Sequence, residues 1–144
     1  MSMCKRHQSG FTLVEVLVAL LIVSIGLLGI AAMQSLALRN TGSSMERSQA
    51  VIQTYSYLDV LRANRDRAVL SQLDMSMVCD AENLPSSQVE QRSWITQLQQ
   101  TMGPDSCGKV ECLGGGKCTI TVQWNDTRAE GGSAVQELVT ETVL

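Results

Sequence analysis

Residues 11–33 are almost wholly apolar, interrupted only by Thr12, Glu15 and Ser24. As an α-helix this run would be about 35 Å long, enough to cross the ~30 Å hydrocarbon core of a bilayer. Lys5 and Arg6 precede it and no basic residue follows immediately, a bias that predicts the N-terminus in the cytoplasm. A secretory signal peptide shares the basic start, the apolar run and small residues such as Ala31-Ala32 near its end. Two features count against that reading. The run is longer than a usual signal core, and it carries an acid near its start that such a core does not need. The chain therefore divides into a polar, basic stretch at 1–10, a membrane-spanning segment at 11–33, and a remainder at 34–144 outside the cytoplasm.

The remainder reads as helix first and strand afterwards. Residues 34–67 continue the helix into water, with Val51, Tyr55, Leu58 and Leu61 at helical spacing on one face and Arg47, Asp59, Arg62 and Arg65 on the other. Gly42-Ser43-Ser44 is a place where it could loosen, at a cost of only about 1 kcal/mol for the glycine. Residues 68–86, with Cys79 and Pro85, read as irregular. Ser87-Gln88-Val89-Glu90 fits a capping box opening a second helix, whose apolar face is Trp94, Ile95, Leu98 and Met102 and which Gly103-Pro104 stops. Beyond it the period changes to two. Cys118, Ile120, Val122 and Trp124 alternate with Thr119, Thr121, Gln123 and Asn125, a half-buried strand. Lys109 to Cys112 is its partner strand, joined through Leu113-Gly114-Gly115-Gly116-Lys117. The triple glycine lacks the GK[ST] ending of a phosphate loop and lies between strands, so it reads as a hairpin turn. Asp126 to Ser133 form another turn, and Ala134 to Leu144 a last strand. No internal repeat is present.

Charge and cysteines bound the chemistry. The chain has 11 basic and 14 acidic residues, and removing 1–10 takes Lys5 and Arg6 away and makes the balance more acidic. Such a chain has no general attraction for nucleic acid. Its one histidine, His7, lies in the first ten residues, so a chain beginning at Phe11 holds no histidine for a triad or a pH switch. Cys4 lies there too, which leaves Cys79, Cys107, Cys112 and Cys118. Outside the cytoplasm an even number of cysteines reads as disulfides. Zinc is the rival, but the Cys107-x4-Cys112-x5-Cys118 spacing is looser than the close pairs of zinc ribbons. Four cysteines allow three connectivities. Cys112–Cys118 across the glycine hairpin with Cys79–Cys107 is the preferred one. No cofactor, metal or catalytic group is expected.

Glu15 remains to be explained. A central membrane acid costs roughly 2.5–3.5 kcal/mol on insertion scales, and less near a helix end. No lysine or arginine lies within the span. One cation would appear if the chain were cut after Gly10, namely the new α-amino group of Phe11. That amine could meet its own Glu15 one turn away, or Glu15 of a neighbouring parallel helix. A pair made only between subunits penalises other partners and registers.

The stretch "KRHQSGFTLVEVLVAL" resembles the prepilin signal of type IV pilins and type II secretion pseudopilins. Lys5-Arg6, Gly10, Phe11 and Glu15 supply its basic leader, its glycine, its methylatable residue and its acid at the fifth mature position. The resemblance implies an α+β, type IV pilin-like fold, with a long N-terminal helix packed on a small antiparallel sheet. It also implies cleavage between Gly10 and Phe11 by a membrane prepilin peptidase that N-methylates Phe11, with Glu15 as an assembly contact. "EVLVALLIVSIGLLGIAAMQ", "LDVLRANRD" and "VQWND" are similar to the PilV-type minor pilins, or type IV pilus modification proteins. That group implies a structural role, starting pilus growth and sitting at or near the tip. Its partners would be other minor pilins, the major pilin, the inner-membrane assembly platform, prepilin peptidase and a tip adhesin. The expected location is the bacterial inner membrane, then the fibre at the cell surface. A GspI-like pseudopilin of type II secretion is the nearest alternative, and DNA capture by a competence pilin is a rival of another class. Many major pilins carry a proline in the membrane helix, which this chain lacks. Gly26 and Gly29 either supply flexibility there or are simply the glycines common in membrane helices.

Overall fold

The computed structural model describes residues 10–144, so Cys4, Lys5, Arg6 and His7 lie outside the described residues. The chain forms two compact units, one ending at Leu38 and one running from Arg39 to Leu144.

Helix α1 covers Leu13–Ala63, 51 residues without a break. It continues through Gly26 and Gly29 and through Gly42-Ser43-Ser44, where no loosening occurs. Instead Ser44 Oγ donates to the Asn40 carbonyl and Ser48 Oγ to that of Ser44, so these hydroxyls bond within the helix. In the first unit every residue from Leu13 to Leu38 is exposed. Leu, Ile and Val there find no partner among the described residues, and the helix is long and apolar enough to cross a membrane.

The second unit adds α2 (Arg65–Val69), β1 (Met75–Val78), a 3-10 turn at Ala81–Asn83, α3 (Val89–Met102), β2 (Cys107–Leu113), β3 (Lys117–Trp124) and β4 (Gln136–Val143). The strands form one antiparallel sheet in the order β1-β2-β3-β4. One face of α1 and one face of α3 lie over it. The shared core holds Ala50, Tyr57, Leu58 and Leu61 of α1, Trp94, Ile95, Leu98 and Met102 of α3, and Val110, Ile120, Val122 and Trp124 of the sheet. Each large apolar side chain buried here contributes about 1.5–3 kcal/mol. This is the α+β architecture expected of a pilin-like chain.

Three local expectations need correction. The buried face of α1 is Ala50, Gln53, Thr54, Tyr57, Leu58 and Leu61, whereas Val51 and Tyr55 are exposed. Two polar residues stand within the true stripe and displaced the reading by a register. Tyr57 is inside because its hydroxyl donates to the Leu73 carbonyl (3.2 Å) and its ring lies 4.5 Å from that of Trp94. Ser87 does not cap α3. The N-cap is Gln88, without a side-chain cap bond, and Glu90 instead accepts from Arg67 Nη1 at 2.6 Å. That ion pair, with its guanidinium hydrogen bond, holds the Glu90 carboxyl below its usual range. Finally, the stretch 68–86 contains the edge strand β1, too short to show a period.

The glycine run between β2 and β3 does what a tight turn demands. Gly115 and Gly116 have φ of 90° and 84°, values that residues with a Cβ avoid. The Gly116 N–H donates to the Leu113 carbonyl, and the Gly116 carbonyl accepts from Leu144. The loop between β3 and β4 is tied to α1: Ser43 Oγ donates to Asp126 Oδ2 at 2.6 Å, and Arg128 pairs with Glu46.

Candidate functional site

Gly10, Phe11 and Thr12 precede α1. Thr12 starts the helix as its N-cap. Its carbonyl accepts from the Val16 N–H, and its Oγ1 accepts from the Glu15 N–H at 3.3 Å. Glu15 is therefore the third residue of the first turn, in the T-x-x-E order of a capping box. The reciprocal half is absent, since the Glu15 carboxylate forms no hydrogen bond or ion pair among the described residues. It borders a shallow hollow with Phe11, Val16, Ala19, Leu20 and Val23, the one acid on an otherwise apolar surface. Phe11 is 83% exposed. A Cβ added to Gly10 would meet nothing within 4 Å among the described residues, so their packing does not require glycine there. The first cation after Phe11 is Arg39, far along the helix. The site thus consists of an exposed peptide bond before a capped helix, and an acid one turn inside it with no counter-charge among the described residues.

The cysteines are placed far from this stretch in sequence, in the second unit. Cys112 and Cys118 stand directly opposite each other in the β2–β3 ladder and are disulfide-bonded. Cys79, just after β1, is bonded to Cys107 at the start of β2. All four sulfurs are consumed, and among the described residues no group of three His, Cys, Asp or Glu side chains comes together to hold a metal. The loop residues Asp126 and Arg128, which tie the β3–β4 turn to the helix, went unsingled in the sequence because their partners Ser43 and Glu46 lie some eighty positions away. Thr12 was readable from its T-x-x-E spacing.

Residues 5–31 match the family model of the prokaryotic N-terminal methylation motif. The match spans Lys5, Arg6, Gly10, Phe11 and Glu15 and ends inside the apolar half of α1. No curated protein and no solved structure matches the chain. The motif, with the exposed apolar helix, supports a type IV pilin-like protein, pilin or pseudopilin.

Proposed function

We propose that the chain is a PilV-type minor pilin of the type IV pilus. It is held in the inner membrane by residues 11–33 with its domain in the periplasm. Prepilin peptidase cuts it between Gly10 and Phe11 and methylates the new amine. It then joins other minor pilins and the major pilin through the assembly platform, helps start the fibre, and stays at or near its tip, with a tip adhesin among its partners. The observation that carries this reading is the fixed register of Gly10, Phe11 and Glu15 at the mouth of a helix whose apolar residues 13–38 are all exposed.

Mass spectrometry of the protein taken from cells tests it. The expected N-terminus is N-methylated Phe11, and Gly10→Val leaves uncut precursor. An N-terminus near Ala31 refutes the pilin reading. Deletion of the gene separates the two pilin-like roles: lost twitching with secretion intact supports the pilus, and lost exoprotein secretion assigns the chain to a GspI-like pseudopilus.

A further inference from the structure

The sheet has two edges, and they are built differently. At one edge β1 is four residues long, its register with β2 shifts between Met75 and Val78, and Cys79 anchors its end through a disulfide. Shortness and irregularity of this kind protect an edge from added strands. At the other edge β4 is eight residues long and pairs with β3 without a shift from Lys117↔Val143 to Trp124↔Gln136. It contains no proline, lysine or arginine. No residue of β4 is fully buried. Glu137, Val139, Glu141 and Val143 face solvent, Val139 is 55% exposed, and Leu138 on the other face is only partly covered by the core. Among the described residues no strand lies beyond it.

The charges decide what fits. Glu137 forms no ion pair among the described residues, while Glu141 pairs with Lys117 at 3.0 Å. A second copy is a poor occupant. Antiparallel pairing centred on Val139 sets Glu137 of each copy opposite Glu141 of the other, twice, and like charges directly opposite are destabilising. A strand with a cation facing each glutamate and an apolar residue facing Val139 avoids that repulsion. We propose that the free edge of β4 is a docking strand for an extended segment of a different protein, one that carries lysine or arginine four positions apart with an apolar residue midway. Main-chain hydrogen bonds hold such a segment, and the alternating side chains select it. The inference concerns the folded second unit and holds whichever assembly the chain enters.

The test uses the full chain in detergent micelles and two synthetic peptides of alternating valine and threonine. One carries two lysines four positions apart, the other two glutamates in their place. The lysine peptide is expected to bind, more weakly as salt rises, and to slow hydrogen exchange of the amides at 136–143 while leaving β1 unchanged. Glu137→Lys weakens that peptide by about fivefold and shifts preference toward the glutamate peptide. The substitution lies on an exposed position, so an unchanged melting temperature accompanies it. Equal binding of both peptides, protection at β1 instead of β4, no binding of the lysine peptide, or a dimer of the chain whose interface protects 136–143 each overturns the proposal.

Discussion

Gly108 sits in β2 beneath the Trp94 ring, and Gly108→Ala tests how tightly that contact is fixed. A Cβ built there lies 2.4 Å from Trp94 Cζ3, 2.7 Å from Cη2 and 2.9 Å from Ile95 Cδ1. Carbon atoms in contact ordinarily stand about 3.5–4.0 Å apart, so the ring must retreat by roughly 1 Å. It is poorly placed to do so. Trp94 Nε1 donates to the buried Gln53 carbonyl at 3.0 Å, and the ring lies against Tyr57, itself bonded to Leu73. Overpacking costs about 1–3 kcal/mol. Weakening the indole hydrogen bond adds about 1 kcal/mol. Replacing a strand glycine returns roughly 0.5–1 kcal/mol. The net expectation is a loss of about 1–3.5 kcal/mol, a fall in melting temperature of at least about 4 °C for a unit of this size. Thermal and urea unfolding of the full chain in detergent, followed by near-ultraviolet circular dichroism, measures it. Adding Trp94→Phe removes the clashing atoms, so that second change should cost less in the Gly108→Ala background than alone. A Gly108→Ala protein as stable as the parent would falsify the packing argument.

Glu15→Leu should be cut, inserted and folded normally, yet fail to co-purify with other minor pilins, since an unpaired amine in an apolar bundle costs on the order of 3–5 kcal/mol; normal surface pilus counts sink that role. Cys79→Ser with Cys107→Ser opens a 28-residue loop and should cost ~3.5 kcal/mol, against ~2 for removing the six-residue Cys112–Cys118 link, in urea titrations; the reverse order refutes the loop-entropy reading. Because Arg67 depresses the Glu90 carboxyl, that pair stabilises above the unfolded carboxyl value and loses its contribution as pH falls below about 4. The pair is partly exposed, so Glu90→Gln should flatten this acid loss by under about 1 kcal/mol. Burial first, then Glu90 and Asp74, raises the Tyr57 hydroxyl, so stability should fall above about pH 10, and Tyr57→Phe should remove that alkaline loss.

What the sequence disclosed tracks how local the determining physics is. The inner row of β3 and the face of α3 were legible because alternation and helical spacing are written in consecutive residues. The Gly114–Gly116 turn was legible because two positive-φ positions need glycine. The α1 face was misread because Gln53 and Thr54 are buried through specific bonds: Thr54 Oγ1 to the Ala50 carbonyl, and Gln53 Nε2 to Thr101. Nothing near them in sequence announces either burial. The Ser87 capping box failed because Arg67, twenty-three positions upstream of Glu90, claims its carboxylate. β1 escaped because its order comes from β2 rather than from its own four residues. At the candidate site the positions of Gly10, Phe11 and Glu15 were readable. The N-cap bond at Thr12 adds why the helix begins where it does.

That cap sharpens the question of the glutamate. An acid in the first turn gains about 0.3–1 kcal/mol from the helix dipole. The Thr12 bond, worth about 1 kcal/mol, goes to the Glu15 backbone and would survive any side chain there. Helix initiation therefore does not require a carboxylate at position 15. Domain folding does not either, since the core is drawn from Ala50 onward. Among the described residues nothing pairs with it, and the proposed cut would supply a counter-charge at Phe11, one turn away. The amine and the acid of one chain then begin as neighbours, so each can neutralise the other while the helix waits in the bilayer. On assembly the same two groups can exchange partners with an adjacent helix. One ion pair replaces another, and the large cost of an unpaired buried charge falls only on registers in which the exchange is incomplete. In the proposed assembly the glutamate would act less as an adhesive than as a penalty against wrong alignment, a use matched to a charge that no group among the described residues pairs.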